Sequence, residues 1–338
     1  MSTSKQNPLT QLALRYLFLV WGSPDQGPRS RIMAGKLGIP VHFIATNLPR
    51  GGLYVPIKYP IQAVRTLKLL FRQRPEVIFV QNPPILAVFF VYLYCALSGT
   101  RFIIDAHSEA LLTTGSTAPP AWFKRFLFKR AVTTLVTNEH LAEMIEALGA
   151  KAFILRDVPT TFAGSGRYPV NGNFNVALIN TFASDEPLGQ VLAAAAGLPD
   201  VHFYVTGKIN PHRRSKFVDN SPANVHFTDF LANDDYYGLL NTAQAVMCLT
   251  TRNHTMQRGA CEAASIGKPI ITSDWPILRL YFNKGTIHVD NTADGIRRGV
   301  LEMQRHLPDF ERGIKALQLD QQHEWQQKIN LLAGMLRH

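Results

Sequence analysis

The sequence predicts an α/β protein of two doubly wound domains that face each other across a cleft. Three observations predict it. Short apolar runs alternate with helix-length segments from one end of the chain to the other. The alternation is interrupted once, by PTTFAGSGRYPVNGN at residues 159–173, whose Gly, Pro, Ser, Thr and Asn content is that of a linker. The length, 338 residues, is about twice that of an ordinary domain.

The elements follow in order. Leu14 to Trp21 is an apolar run that reads as the first strand, and GSPDQGPRS after it reads as a loop. RSRIMAGKLG then reads as a helix stopped by Gly38. Val41 to Ala45 is the next strand, Ile61 to Gln73 a helix and Val77 to Val80 a strand. QNPP leads into the apolar helix Ile85 to Leu97, and Arg101 to Asp105 is a strand again. Beyond the linker come strands at Phe174 to Ile179, Val201 to Thr206, Val225 to Phe227, Ala245 to Leu249, Pro269 to Thr272 and Ile287 to Val289. A helix near Pro187 to Gly197 separates the first two, and others lie between the rest. Gln321 to Leu336 reads as a last helix with no strand after it. The expected domains are 1–165 and 166–320, with 321–338 a helix that packs back on the first.

Composition narrows the class. Hydrophobic residues at 46% and charged residues at 17% belong to a globular chain rather than a disordered one. No repeat period is present. The three cysteines, Cys95, Cys248 and Cys261, are far apart and lack metal-ligand spacing, which points to a reducing compartment and to neither a disulfide framework nor a metal centre. The apolar run from Ile85 to Leu97, 13 residues, falls short of the ~20 a membrane-spanning helix needs. The amino-terminal stretch, broken by Arg15, fits a strand better than a signal peptide. Charge is unevenly placed. Residues 1–165 hold 18 Lys/Arg against 8 Asp/Glu, and residues 166–338 hold 17 against 16. The first half therefore suits an anionic partner.

The stretch with the most chemistry is LTTRNHTMQRGACEAASIGKPIITSD, Leu249 to Asp274. A strand ends near Thr250, and a polar loop leads into a helix beginning near Thr255 and closed by Gly267. The free N–H groups and positive dipole end of such a helix form a phosphate site. Arg252 and Arg258 stand where they could add charge-assisted bonds. Glu262, an acceptor-only carboxylate, suits a sugar diol. An ordinary surface helix with a solvated Glu is an equally good reading of this stretch taken alone. In the first half, IDAHSEA places His107 just past a strand end between Asp105 and Glu109. Either acid could orient the imidazole or serve as base, although a lone His is more often structural. The loop Gly22 to Arg31 brings Gly22 and Arg29 to a helix start. It is no GxGxxG fingerprint, and a dinucleotide oxidoreductase is disfavoured.

The run GACEAASIGKPIITSDWPILRLYF, with VHFYVTGK, VHFTDFLANDDYYGLL and NTFASDEPLGQVLAAAAGLPDVHFYVTG before it, resembles the nucleotide-sugar half of GT-B glycosyltransferases, family 4 above all. The resemblance covers about residues 174–300 well. It extends more weakly over 14–165, through FLVWGSPDQGPRSRIMAGKLG and FIIDAHSEAL; VQNPP is similar to a segment of β-mannosyltransferases of the same fold. It implies two Rossmann-like domains and metal-independent transfer of a hexose-like sugar from a UDP- or GDP-sugar, with retention and no cofactor; VQNPP points to inversion. Glu262 matches the second of the family's two glutamates, which implies contact with the donor ribose, and His254 falls on the position of the first. The family's basic pair is absent from Thr181–Pro187; Lys208, Arg252 and Arg258 are the candidates to replace it, and Thr255 opens the phosphate-binding helix. His107 matches a His that implies contact with the donor sugar, and Gly22 and Arg29 lie on the loop that borders the donor phosphates and the acceptor.

Two basic stretches complete the reading. Lys58 to Arg74 mixes cations with Leu and Phe, and PPAWFKRFLFKRA interleaves Trp122, Phe123, Phe126, Leu127 and Phe128 with Lys124, Arg125, Lys129 and Arg130. Cations among bulky aromatics at helical spacing suit an anionic membrane; a core helix with a basic outer face is the plainer reading. No nucleic-acid-binding module appears. The expectation is a peripheral enzyme on the inner face of the cytoplasmic membrane, acting on a lipid-linked or polysaccharide acceptor. Two rivals share the fold: a hydrolysing sugar-nucleotide epimerase, and a catalytically silent scaffold in polysaccharide synthesis, to which the His254 substitution points.

Overall fold

Buried apolar runs become the strands of two separate parallel sheets. The computed structural model describes residues 8–24, 28–48, 54–112, 119–156, 166–209 and 217–337, leaving out the side chains of Pro28, Glu109 and Leu112. The chain folds as two units, Met1–Val158 together with Glu324–His338, and Pro159–His323.

The first unit holds β1 (Tyr16–Val20), α1 (Pro28–Leu37), β2 (Val41–Phe43), α2 (Val55–Gln73), β3 (Val77–Asn82) and α3 (Ile85–Ser98). It continues with β4 (Arg101–Ala106), α4 (Ser108–Leu112), α5 (Ala121–Phe128), β5 (Thr134–Val136), α6 (Glu139–Ala147) and β6 (Ala152–Ile154). The six strands are parallel in the order β2-β1-β3-β4-β5-β6. Because side chains alternate across a strand, Leu17 and Leu19 join Ile78, Val80 and Ile104 under α2, α3 and α5. Phe18 and Val20 turn the other way and join Phe79, Ile103 and Met33, together with Trp325, Ile329 and Leu332 of the last helix. Both faces of the sheet are thereby covered, as an all-parallel sheet requires.

The second unit repeats the plan with β7 (Phe174–Leu178), α7 (Leu188–Ala196), β8 (Val201–Thr206), β9 (Val225–Asp229), α8 (Asn233–Thr242), β10 (Ala245–Cys248) and α9 (Arg258–Ile266). Then follow β11 (Ile270–Ser273), α10 (Pro276–Tyr281), β12 (Thr286–Val289), α11 (Ala293–Arg305) and α12 (Leu307–Met335). Its order, β12-β11-β10-β7-β8-β9, reverses direction between β7 and β10. In the first sheet the reversal lies between β1 and β3. Ligands of open α/β sheets bind beyond the strand ends at such a switch point.

Several expectations shift. The helix expected from Ile61 begins at Val55 and runs through Pro60. A proline costs one backbone bond but does not stop a helix whose inner face buries Gln62, Ala63, Thr66 and Leu70. β5 and β6 were not anticipated: at three residues each they show no period. The last helix starts at Leu307 rather than Gln321, with Ile314 and Leu317 in the second unit's core. All three cysteines are buried and free. Burial pushes the Cys95 thiol up to about 12, so it is not a nucleophile at neutral pH. Among the described residues no helix is long and apolar enough to cross a membrane, and no three His, Cys, Asp or Glu could hold a metal ion.

Candidate active site

In the first unit the carboxyl end of β4 delivers Asp105, which is fully buried. Three side chains from elsewhere converge on it. Arg29 at the start of α1 stands 3.7 Å from Oδ1. Ser30 Oγ lies 3.2 Å from Oδ2 and 2.8 Å from Gln81 Oε1 at the end of β3. His107 Nε2 lies 3.3 Å from Oδ2. Burial alone would raise the Asp105 pKa, but the Arg29 and His107 charges and the hydrogen bonds outweigh it and hold the carboxyl below its ordinary value. An ionised carboxylate only accepts, so His107 Nε2 carries the proton toward Asp105. Nδ1 lies on the other side of a ring that is one-quarter exposed. The His107 N–H also donates to the Asn82 carbonyl at 2.9 Å, which fixes the residue beyond two adjacent strand ends.

Arg29 is thus turned inward. Its guanidinium also donates to the Leu155 carbonyl at 3.1 Å, in place of the loop surface expected for a phosphate ligand. Gly22 is buried in the turn after β1. Glu109 lies in α4, and its side chain is outside the described residues.

In the second unit the loop after β10 and the loop after β7 meet at the switch point. Thr250 donates its hydroxyl to Asp185 Oδ2 at 2.8 Å, and the Thr251 N–H donates to the Asp185 carbonyl at 2.7 Å. Arg252, largely exposed, lies 3.5 Å from Asp185 Oδ1. The neighbouring Glu186 accepts from the Thr181 and Ala183 N–H groups. The loop expected to lack a basic pair therefore presents two carboxylates, and one of them holds Arg252.

His254 follows with φ +59°, a left-handed conformation that non-glycine residues rarely adopt; its N–H donates to Asn253 Oδ1 at 2.8 Å. Thr255 lies in the same loop. The helix expected to begin there begins at Arg258, with Gln257 as its cap and no side-chain cap bond. Three residues of extra loop place His254 and Thr255 ahead of the helix end rather than on it. Gly259 is fixed by packing, since a Cβ there would meet Cys248 Sγ at 2.7 Å and Ile179 Cγ2 at 2.8 Å.

Glu262, one turn into α9, is only 12% exposed. Its Oε1 accepts from Arg258 Nε at 2.8 Å and its Oε2 from the Tyr236 hydroxyl at 2.7 Å. Burial and the facing carboxylate drive the Tyr236 pKa well above its ordinary value, so this phenol stays a donor. Lys208 is exposed just past β8, beyond Gly207, whose φ of +102° lets the backbone approach the Asn180 carbonyl.

Sequence reading did not single out Asp185 or Tyr236, and it placed Ser30 at a helix start without linking it to Asp105. SDEP in the first loop carried a signal, two acids where cations were expected. Tyr236 carried none, because its partner is 26 residues away.

The remaining candidates line α5. Lys124 and Arg125 make no ion pair or hydrogen bond with a described side chain. Lys129 caps the helix end with its backbone N–H. Arg130 lies 3.6 Å over the Phe126 ring and donates to the Phe126 carbonyl at 2.9 Å, so part of its cationic character is engaged by the protein's own aromatics.

Comparison with known proteins fits this arrangement. A glycosyl transferase 4-like domain matches residues 12–154, and a glycosyl transferase-like domain matches residues 189–333. No curated protein matches the chain. Among solved structures, the chain is similar to sucrose-phosphate synthase from Thermosynechococcus elongatus, with 12% identity, 96% of this chain and 98% of that one covered, and a TM-score of 0.68. Anabaena HepE, solved in complex with UDP, gives 12%, 96%, 100% and 0.68. A structure named as a putative UDP-N-acetylglucosamine 2-epimerase from Listeria monocytogenes gives 11%, 89%, 91% and 0.58. With two parallel six-stranded α/β units and a glycosyl transferase match on each, the chain belongs to the GT-B glycosyltransferases.

Proposed function

We propose that the chain transfers a hexose-like sugar from a UDP- or GDP-sugar to a lipid-linked or polysaccharide acceptor, acting as a peripheral protein on the inner face of the cytoplasmic membrane. The observation that carries the donor side is Glu262, a nearly buried carboxylate held at the switch point by Tyr236 and Arg258. Each carboxylate oxygen has two acceptor positions, so a pentose diol can bind beside the two donors already present. The α9 N–H groups have no side-chain cap, and a diphosphate can take that place. Arg258 and Arg252, about half and two-thirds exposed, then turn their remaining N–H donors to phosphate oxygens. Dipole and guanidinium groups at fixed positions stabilise the charge that develops on the leaving diphosphate, which needs no metal. HepE, of the same fold, was solved with UDP, and a nucleotide of that kind suits the site. Lys208, Thr255 and His254 would complete the donor shell.

His107, oriented by ionised Asp105, presents Nδ1 to a sugar hydroxyl. Family-4 membership of the first half favours transfer with retention. The acceptor side rests on charge: α5 carries Lys124, Arg125, Lys129 and Arg130 beside Trp122, which is 70% exposed. α2 adds a stripe of exposed Ile57, Val64 and Phe71, at a seven-residue spacing that keeps them on one face.

Calorimetric titration with UDP and with GDP tests the donor reading. Micromolar binding of one of them is expected; silence with both at millimolar concentration leaves the scaffold, the reading that carboxylates in the Thr181–Pro187 loop favour. Sugar-nucleotide consumption without any acceptor would instead favour the epimerase.

A further inference from the structure

The first unit contains a cavity of about 520 Å³, the size of a small-molecule site. Tyr59 of α2, Pro84, Ile85 and Leu86 at the head of α3, and Phe123 and Lys124 of α5 line it. Its floor reaches Asn82 at the end of β3, whose carbonyl holds the His107 N–H. The cavity therefore adjoins the Asp105–His107 pair at the carboxyl end of the sheet.

Its chemistry suits one class of occupant better than another. A sugar or a peptide needs several hydrogen-bonding partners when it leaves water. Tyr59, Asn82 and Lys124 are the lining side chains that offer any, and the proline, leucine, isoleucine, alanine and phenylalanine side chains that make up the rest offer none. Among the lining residues one side chain is charged, Lys124, and its ammonium makes no bond with a described residue. Residues 50–138 hold eleven Lys/Arg against three Asp/Glu, so no nearby acidic excess awaits it. On the same helix, Trp122 is 70% exposed and packs edge-on against Phe123 at 5.5 Å. An amphipathic ring outside and an apolar recess with a cation inside fit an apolar chain that ends in an anion.

We propose that this cavity binds a single-chain prenyl or alkyl phosphate, the hydrocarbon seated against Leu86 and Phe123 and the phosphate on Lys124. The proposal rests on the reading of the first unit as the acceptor side and commits it to a lipid-phosphate acceptor. Phosphate beside an ammonium gains a charge-assisted bond, and the chain gains apolar burial of about 25 cal/mol per Å². Neither part alone accounts for tight binding, which gives the test its arms.

The full chain is titrated with farnesyl phosphate below its micelle concentration, with farnesol and with inorganic phosphate. Farnesyl phosphate is expected to bind at least ~10-fold more tightly than farnesol and ~100-fold more tightly than phosphate, a charge-assisted contact and a buried chain each contributing. Leu86→Trp fills the cavity and should weaken farnesyl phosphate ~10-fold or more. Lys124→Gln should do the same to farnesyl phosphate and leave farnesol unchanged; it carries the test should Leu86→Trp fail to fold. Farnesyl phosphate binding that survives both substitutions overturns the proposal. So does equal affinity for inorganic phosphate, which would reduce the cavity to a cationic patch, and so does binding only to anionic vesicles. Titration of the same preparations with UDP reports the donor site. UDP binding without farnesyl phosphate binding defeats this proposal alone, and the converse defeats the donor reading alone.

Discussion

The two units share one architecture and treat charge in opposite ways. In the second, cations are matched by acids within reach: Arg252 by Asp185, Arg258 by Glu262, Arg279 by Asp274, Lys284 by Asp320 and Arg297 by Asp294. In the first, Arg15 meets Glu76 and Arg156 meets Glu139 and Glu324, but the acids are fewer than the cations, and the buried one, Asp105, serves Arg29 and His107. Lys124, half-buried at the cavity, and Arg125, exposed, make no ion pair with a described residue. A parallel sheet with helices on both faces does not dictate this difference, because helix surfaces tolerate either sign. The partners proposed for the two units differ accordingly. Paired arginines beside a carboxylate suit a ligand that enters a defined pocket and displaces one charge with another. Lys124 and Arg125, on one helix with exposed Trp122 and without an ion pair among the described residues, suit an extended anionic surface.

Glu262→Ala breaks the comparison most severely. It strips Tyr236 and Arg258 of their shared acceptor, which unites the charge network of the second unit with the proposed ribose contact. Removing a buried, doubly bonded carboxylate should weaken nucleotide binding by about 2–3 kcal/mol, roughly 30- to 150-fold. Turnover should fall at least as far. Calorimetry and a product assay on protein of unchanged melting temperature check it, and donor affinity equal to wild type would remove Glu262 from the site.

Lys124→Glu/Arg125→Glu tests the other half. Each cation near an anionic bilayer contributes about 1 kcal/mol, so reversing two should reduce vesicle binding by ~30-fold or more. Co-sedimentation with phosphatidylserine-containing vesicles at low and high salt reads this out, while UDP affinity should stay at the wild-type value. Vesicle binding indifferent to lipid charge and salt would end the electrostatic account of the first unit.

How much of this contrast was legible in the sequence depends on distance along the chain. Uneven charge needs only counting. β3 announces itself because Val77 to Val80 is an unbroken apolar run, and α9 because Gly267, at φ +73°, stops it. The three-residue strands β5 and β6 are too short to show a period. The Asp105 cluster joins residues from 29 to 107, and each partner taken singly is an ordinary polar residue. Thr255 is a good cap by type, but α9 starts at Arg258, where Gly259 packs against Cys248 with no room for a side chain, a contact between residues eleven apart that the local sequence does not show.

Tyr236→Phe sharpens the donor-site account at smaller cost. It keeps the ring and deletes the one hydroxyl that orients Glu262 Oε2. A lost hydrogen bond to a charged group, about 1.5–2 kcal/mol, should raise the nucleotide Kd ~10-fold. A purely structural role would lower the melting temperature and leave affinity alone.

The smallest expected effect separates the two units by pH. In the second, the His226 ring lies 3.0 Å from His202 and stacks on it at 5.3 Å, with Tyr204 on the same ring at 4.9 Å. Burial, with the His202 charge, lowers the His226 pKa from 6.5, and burial lowers that of His288 also. A lowered histidine binds its proton more readily in the unfolded chain. Stability from these groups is therefore present above pH 6.5 and is lost as pH falls through 6.5 toward the depressed folded values. In the first unit, Asp105 is lowered from 3.8, so its contribution persists until pH falls below that value. Acidification from pH 7.5 to 5.5 should thus lower the melting temperature of the second unit by a few degrees and leave the first unchanged, which calorimetric scans resolve as one moving and one fixed transition. His226→Gln should flatten part of the moving transition's pH dependence. Two transitions that move together would show that the units melt as one, and the contrast between them would then be a matter of surface charge alone.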